Sequence, residues 1–309
     1  MFWEIILEKL FGKKNNTIRI GFINYWRRIP TSYFQNTYIF PLQKAGLNVD
    51  ITPYNPQRTK CDIVFYSVFG EEKALKRCKG EPLFIHYSGE NRTSIPAGAE
   101  HYSLTFNKDS DKNLYFPLWQ LQYAQYNMLR RPKNQNKNKF CTFIIGNTNP
   151  TRRIDAFKAL NEYKRVDSCG RSLNNMEDGF TLPVEMDKCI EFHNDYKFNL
   201  CFENSKSIEG SNYITEKLIN AYFFGTVPIY WGDDEVEKWF NPKSFINANG
   251  KTIKELVDIV KFYDTHDKDY YEMLNQPMLN EDIDIEQYLT NRYVEFMKKI
   301  TEPTISKKG

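Results

Sequence analysis

Glu203, Asn204, Tyr213, Glu216 and Lys217 fall within one short stretch, bounded by two apolar runs. Phe198-Asn199-Leu200-Cys201-Phe202 reads as a buried strand, and residues 203–213, polar and carrying Gly210, read as a loop. Thr215 opens a helix whose Leu218, Ile219, Ala221 and Tyr222 fall on one face. Gly225 is placed to end it, and Val227-Pro228-Ile229-Tyr230 starts the next strand. Such a strand–loop–helix–strand unit builds a parallel sheet. It puts polar residues at the carboxyl end of a strand and the amino end of a helix, where open α/β folds bind phosphorylated ligands. Lys217 would add its charge to the positive helix end. Arg153, in the first turn of a second candidate helix, offers a guanidinium that can hold two phosphate oxygens at once. Arg152 is adjacent, but spacing to Phe157 and Leu160 favours Arg153. A cation at a helix start opposes the dipole unless an anion is near; the plain alternative is an exposed surface cation. Glu216 can accept hydrogen bonds from ribose hydroxyls, and Asn204 and Tyr213 offer neutral donors to a phosphate or sugar. Glu203 is an alternative acid in the same loop. Glu90, in Ser88-Gly89-Glu90-Asn91 just past the strand-like residues 83–87, sits where a βα loop opens. Position alone favours a helix-capping or solvated acid there.

Three segments together, Phe202-Glu203-Asn204-Ser205, Tyr213-Ile214-Thr215-Glu216-Lys217 and Gly225-Thr226-Val227-Pro228-Ile229, resemble the signature of the family-ten glycosyltransferases. These are the α1,3/4-fucosyltransferases, which use GDP-fucose. The dense match is short, and weaker matches extend over most of the chain. The loop between Asn204 and Tyr213 is longer than usual for the family, with the extra residues within 206–212. Residues 164–171 also resemble a family stretch, with Cys169-Gly170 where Gly-Gly is usual, which makes Arg171 a weaker donor-site candidate.

The resemblance implies a GT-B architecture of two facing doubly wound parallel-sheet (Rossmann-like) domains. It implies an inverting transfer of L-fucose from GDP-β-L-fucose to an N-acetylglucosamine-containing glycan in α1,3 (or α1,4) linkage, as in bacterial polysaccharides and Lewis antigens. Transfer from a nucleotide sugar needs a base for the acceptor hydroxyl, cations for the departing diphosphate and a shaped pocket. By resemblance Glu90 is the base. Arg153, Asn204, Tyr213, Glu216 and Lys217 bind the donor. Asn24, Tyr25, Trp26 and Asn91, with the 88–96 loop, face the acceptor. No DxD motif stands where a metal-dependent transferase would hold it, and Asp233-Asp234 reads as an exposed cap after a strand. The resemblance therefore implies a metal-independent enzyme that requires no cofactor, GDP-fucose being its substrate. A non-catalytic glycan- or nucleotide-binding module on the same scaffold is the alternative, and intact Glu90, Arg153 and Lys217 argue against it. A transferase for another GDP-sugar would share every one of these residues.

Bulk composition sets outer bounds. At 309 residues with 41% apolar side chains, the chain can fill the cores of two domains. A net charge of +3 is too small for a dedicated nucleic-acid binder. Six cysteines at 61, 78, 141, 169, 189 and 201 show no CxxC spacing, which favours free buried thiols over a disulfide or zinc framework. The four histidines show no metal spacing. No stretch approaches a transmembrane length. MFWEIILEKLFGKK at residues 1–14 is amphipathic and reads as a helix, docked on protein (its own domain or a second copy in a homo-oligomer) or lying on a membrane surface. It lacks the features of a secretory signal. The expectation is a bacterial cytoplasmic enzyme, with peripheral contact to the inner membrane face through this segment.

The elements that must position these residues follow from short apolar runs. Residues 18–23, 62–66, 83–87, 102–106 and 114–116 read as one strand series, separated by crossover-length segments. Residues 74–78 look helical. The polar stretch 130–139 (RRPKNQNKNK) is the best linker candidate. After it, residues 140–146 start a second strand series, followed by a helix over 152–163. The expected division is an acceptor-binding domain over 1–135, a GDP-sugar-binding domain over 136–285, and a C-terminal helix and tail over 286–309 crossing back to the first domain.

Overall fold

Runs that are apolar on both faces need cover on both sides of a sheet, which parallel strands with crossover helices supply. In the computed structural model the described residues are 17–26, 29–51, 55–91, 101–126, 136–149, 151–281 and 283–306. The amphipathic segment 1–14, residues 130–135 of the basic stretch and residues 92–96 of the loop after Asn91 lie outside them. Among the described residues no helix is long and apolar enough to cross a membrane. The chain divides into two compact units, broken at Phe116/Pro117 and again at Asp284/Ile285.

The first unit holds β1 (Ile18–Ile23), β2 (Val49–Ile51), β3 (Ile63–Tyr66), β4 (Leu83–Tyr87), β5 (Tyr102–Thr105) and β6 (Asn113–Tyr115). They form one sheet in the order β2-β1-β3-β4-β5-β6, every pair parallel. Between β1 and β2 run α1 (Thr31–Phe34), a π-helical stretch Gln35–Ile39, and α2 (Phe40–Lys44). Pro41, in the first turn of α2, has no N–H to donate and its ring crowds the carbonyl four residues back. The α ladder therefore cannot run through, and the wider turn lies just before it.

In the second unit, α3 (Leu118–Tyr126) is followed by β7 (Lys139–Phe143), α4 (Thr151–Tyr163), β8 (Val166–Ser168), α5 (Met186–His193) and β9 (Tyr196–Phe202). Then come α6 (Glu216–Phe223), β10 (Val227–Trp231), β11 (Ile246–Asn247), α7 (Ile253–Thr265) and α8 (Asp267–Asn275). The sheet order is β11-β10-β9-β7-β8, again all parallel. All seven residues of β9 are buried, as a central strand with helices on both faces demands. Phe198, Leu200, Ile229, Leu160, Leu256 and Val260 meet in its core. The final helix, α9 (Ile285–Ser306), groups with the first unit, where Tyr293 Oη donates to the Tyr38 carbonyl at 3.1 Å.

Two sequence expectations are corrected. Helix α3, assigned by sequence to the first domain, belongs to the second unit. Trp119 is fully buried against Trp239 and Phe240, and Gln122 donates to Asn220 of α6 at 2.8 Å. The described end of the basic stretch is not a linker. Lys137 is buried with Nζ donating to the Asn194 carbonyl at 2.6 Å, and Lys139 already starts β7.

Candidate active site

Numbered within each sheet, both units share the strand order second-first-third-fourth-fifth, so each has its topological switch between its first and third strands. Ligands of doubly wound sheets bind at the carboxyl ends of the strands flanking that switch. In the second unit those strands are β7 and β9, followed by Ile144–Asn149 and by the loop from Glu203 to Tyr213.

Arg153 belongs to this crevice for a reason visible in α4. Its buried residues are Arg153, Ala156 and Leu160, so the arginine occupies the core stripe of an amphipathic helix. A guanidinium there must be hydrogen-bonded. Nη1 donates to Asn204 Oδ1 at 2.7 Å, and Nη2 donates to the Asn147 carbonyl. Nε, also buried, has no hydrogen-bond partner among the described residues. Burial pulls this guanidinium below its ordinary pKa, with the Glu203 charge opposing. Arg153 thus links the segment after β7 to the segment after β9. Arg152 instead donates to the Ala248 and Lys251 carbonyls and lies over the Trp231 ring.

The start of α6 is built around a buried acid. Thr215 is its N-cap, with Oγ1 accepting from the Lys217 N–H. Glu203, the first residue after β9, is fully buried, and its carboxylate accepts from Thr215 N at 2.7 Å and from Thr215 Oγ1 at 2.9 and 2.8 Å. Lys217 Nζ donates to Glu203 Oε2 at 3.0 Å, with Glu216 Oε1 further off at 3.9 Å. The anion that a cation at this helix start calls for is therefore Glu203. Burial raises the Glu203 carboxyl pKa against the pull of Lys217. For Lys217, burial alone would lower the ammonium, but Glu203 and Glu216 more than offset it and hold it above its ordinary value. The helix ends as its sequence indicates: Gly225 has φ 71°, a left-handed conformation that costs glycine little, and its N–H bonds the Tyr222 carbonyl.

The long loop 204–213 is tied down at several points. Ser207 donates to Asp233 Oδ2 and accepts from Tyr213 N, Lys206 pairs with Asp234, and Asn212 donates to Glu235 at 2.8 Å. Asp233 is therefore not the exposed cap expected from sequence. It is buried because the enlarged loop and the Glu235 N–H both use its carboxylate. Tyr213 is buried and Glu216 half-exposed at the opposite ends of the same turn. Arg171 is exposed, its guanidinium beside Gly146. Hydrogen bonds thus join Arg153 to Asn204 and Lys217 to Glu203, and Glu203 and Asn204 are neighbours in the chain; Tyr213 and Glu216 flank Thr215 in the same segment. Sequence placed Glu203 only as an alternative acid. The signal that points to it is a cation two residues into a helix, where the dipole calls for an anion.

In the first unit, Asn24 follows β1 with φ 61°, its amide donating to the Glu71 carbonyl at 3.2 Å. Tyr25 stacks on Tyr87 with ring centroids 5.8 Å apart and shares a 3.4 Å contact with the Tyr38 hydroxyl; burial raises its phenol well above the ordinary value. Trp26 is 39% exposed, flanked edge-on by Tyr33 and Phe69. Glu90 and Asn91 follow β4. The Glu90 backbone is clamped by Ser88, whose Oγ donates to its carbonyl at 3.1 Å and accepts from its N–H at 3.2 Å. Asn24 to Trp26 stand at the carboxyl end of β1 beside this unit's switch, and Glu90 stands one strand beyond β3.

Known proteins match this chain in sequence and in fold. Residues 134–298, more than half of the chain, match the sequence model of glycosyltransferase family 10 (fucosyltransferase) C-term. The α-(1,3)-fucosyltransferase FucT of Helicobacter pylori is 30% identical over 89% of this chain; the chain spans 63% of the length of that relative. Among solved structures, an α1,3-fucosyltransferase superposes with a TM-score of 0.75 at 27% identity, covering 94% of this chain and 92% of the other. An α1,3-fucosyltransferase with GDP-fucose superposes at 0.72 and 25% identity, covering 94% and 91%. The two parallel-sheet units are those of the GT-B class. The chain belongs to glycosyltransferase family 10, the fucosyltransferases.

Proposed function

We propose that the protein is an inverting fucosyltransferase, moving L-fucose from GDP-β-L-fucose to an N-acetylglucosamine-containing glycan in α1,3 (or α1,4) linkage. The observation that carries the reading is the pair of buried or half-buried cations, Arg153 and Lys217, at the switch of the second sheet, wired to Asn204 and Glu203. A departing GDP gains negative charge as the glycosidic bond breaks, and fixed cations in a site poor in water stabilise that charge most in the transition state. In this reading Arg153 and Lys217 contact the diphosphate, Asn204 and Tyr213 donate to phosphate or fucose, and Glu216 accepts from the ribose hydroxyls. These cations do the work that a metal does in other transferases, so no cofactor is required, and transfer should persist in excess EDTA.

Glu90 takes the proton from the acceptor hydroxyl, and a single displacement inverts the anomeric centre. Such a base contributes about 10²–10⁴-fold. Tyr25 and Trp26 offer aromatic surface to the acceptor sugar, with Asn24 and Asn91 beside them. Six cysteines outside any disulfide fit a reducing, cytoplasmic setting. Residues 1–14 provide peripheral membrane contact, which co-sedimentation with anionic liposomes before and after their deletion would test.

The decisive experiment is a transfer assay with GDP-fucose against N-acetyllactosamine and lacto-N-biose acceptors, with the product linkage read by NMR. The expected product is an α-linked fucoside, and Glu90→Ala should abolish transfer while leaving GDP binding nearly intact. Faster transfer from another GDP-sugar would overturn the donor assignment. Near-normal turnover of Glu90→Ala would remove Glu90 as base.

A further inference from the structure

The ion pair between Glu203 and Lys217 is asymmetric. Glu203 is fully enclosed, while the Lys217 side chain keeps 25% of its surface exposed. The acid cannot move. Its N–H bonds the Trp231 carbonyl at 2.8 Å, its carboxylate is held by Thr215, and Gly232 leaves so little room that a Cβ there would come within 2.6 Å of Glu203 Cγ. Lys217 Nζ also rests 3.0 Å from Thr215 Oγ1. One rigid acid therefore fixes one end of a partly open cation. Buried pairs contribute little net stability on average, since desolvation offsets their attraction, so stability alone is a weak account of the arrangement.

We propose that Glu203 is a positioning residue that acts through Lys217, a buried counter-charge that keeps this side chain in place, and as a cation, to meet the diphosphate of the donor. The inference rests on the donor-site reading above. Among the described residues, the other ionisable groups around the pair are Glu216 on α6, Tyr213 in the loop, Arg153 on α4, Cys201 on β9 and Tyr230 on β10. Of these only Glu216 adds a second negative charge close to Lys217, at 3.9 Å and half-exposed. Without the Glu203 charge, burial would make the lysine proton easier to lose, with Glu216 still opposing that loss.

The test is calorimetric GDP binding to the full chain between pH 7.5 and 9.5, above the titration of the nucleotide's own phosphate. Profiles are read as ratios to the wild type, whose own affinity carries only the loss of the guanine N1 proton near the top of this range. Glu203→Gln keeps an acceptor for Thr215 but no charge, and its GDP affinity should fall about tenfold as pH rises. Glu203→Gln combined with Lys217→Arg should be flat again, because a guanidinium does not lose its proton here. A flat Glu203→Gln profile, or an equal decline in the double variant, overturns the proposal.

NMR titration of the Lys217 Cε resonance in the nucleotide-free wild type is the second measurement. The lysine should stay charged to pH 9.5, and titration between pH 7.5 and 9.5 overturns the proposal even if Glu203→Gln does not fold. Failure of the wild type to bind GDP would instead sink the donor-site reading, while the titration still decides the coupling.

Discussion

Lys217 stands two residues into α6, where the helix dipole disfavours a cation, and Glu203 supplies the anion that makes it tolerable. The same placement leaves the ammonium partly open, so its removal should be felt in binding. Lys217→Ala is expected to weaken GDP binding by about 1.5–3 kcal/mol, the value of a charge-assisted contact. Unchanged affinity by calorimetry would take Lys217 out of the donor site. Arg152→Ala, by contrast, should lower stability and leave GDP affinity nearly unchanged, because Arg152 spends its donors on the Ala248 and Lys251 carbonyls.

His193 tests the core of the same unit. It is fully buried, stacks on Phe224 at 4.1 Å and accepts or donates only within the fold, and burial lowers its pKa to about 4. The unfolded chain, with the ordinary imidazole value, takes up the proton first as pH falls. Stability should thus be intact above pH 6.5 and decline by about 3 kcal/mol on the way to pH 4. Glu203, raised by burial, pulls the opposite way over the acid range. The difference between wild type and His193→Phe in urea titrations at pH 7 and pH 4.5 isolates the histidine. Equal acid losses in the two proteins would refute its contribution.

Side-chain environments were legible where helix position decides them, as for Arg153, whose spacing to Leu160 puts it on the stripe that the helix buries. They were not legible where the partner comes from a distant segment. Nothing local to Asp233 indicates that Ser207 will bury it.

Among elements, α6 depends on one cap more than its length implies. Thr215 receives the Lys217 N–H, donates to both Glu203 oxygens and gives its own N–H to the same acid. Thr252 caps α7 in a conventional, exposed capping box with Glu255. Loss of an ordinary cap costs about 1 kcal/mol, whereas Thr215→Ala also leaves a buried carboxylate short of a donor, a further cost of about 1–3 kcal/mol. Urea denaturation should therefore show Thr215→Ala clearly more destabilising than Thr252→Ala, with Thr215→Ser close to wild type. Equal losses would mean that the Glu203 contact contributes nothing.

Central strands were readable because burial on both faces forces unbroken apolar runs such as 198–202. β2 and β11, at three and two residues, are too short to show any period. The break between units was misplaced because the basic stretch 130–139 is polar, whereas the true change at Phe116/Pro117 passes through apolar sequence that α3 then buries against Trp239 and Phe240.

At the level of the whole molecule, the two sheets share a winding, but the first unit is built from two separate stretches of chain, because the last helix rejoins it. Tyr293 packs on Tyr38 and Phe116, and Phe296 meets Tyr102. The second unit, over Pro117–Asp284, closes its own core around β7, β9 and β10 without α9. Ending the chain at residue 284 should thus strip a buried aromatic face from the first unit and leave the second intact. Transfer activity, which in the proposed mechanism needs Glu90 from the first unit, should be lost. GDP should still raise the melting temperature of the remaining cooperative transition, because a ligand that binds only the folded form stabilises it by mass action. Calorimetric scans of the truncated chain with and without GDP would decide the point. Loss of GDP stabilisation on truncation would show that donor binding requires the first unit's packing, and the autonomy of the donor unit would have to be abandoned.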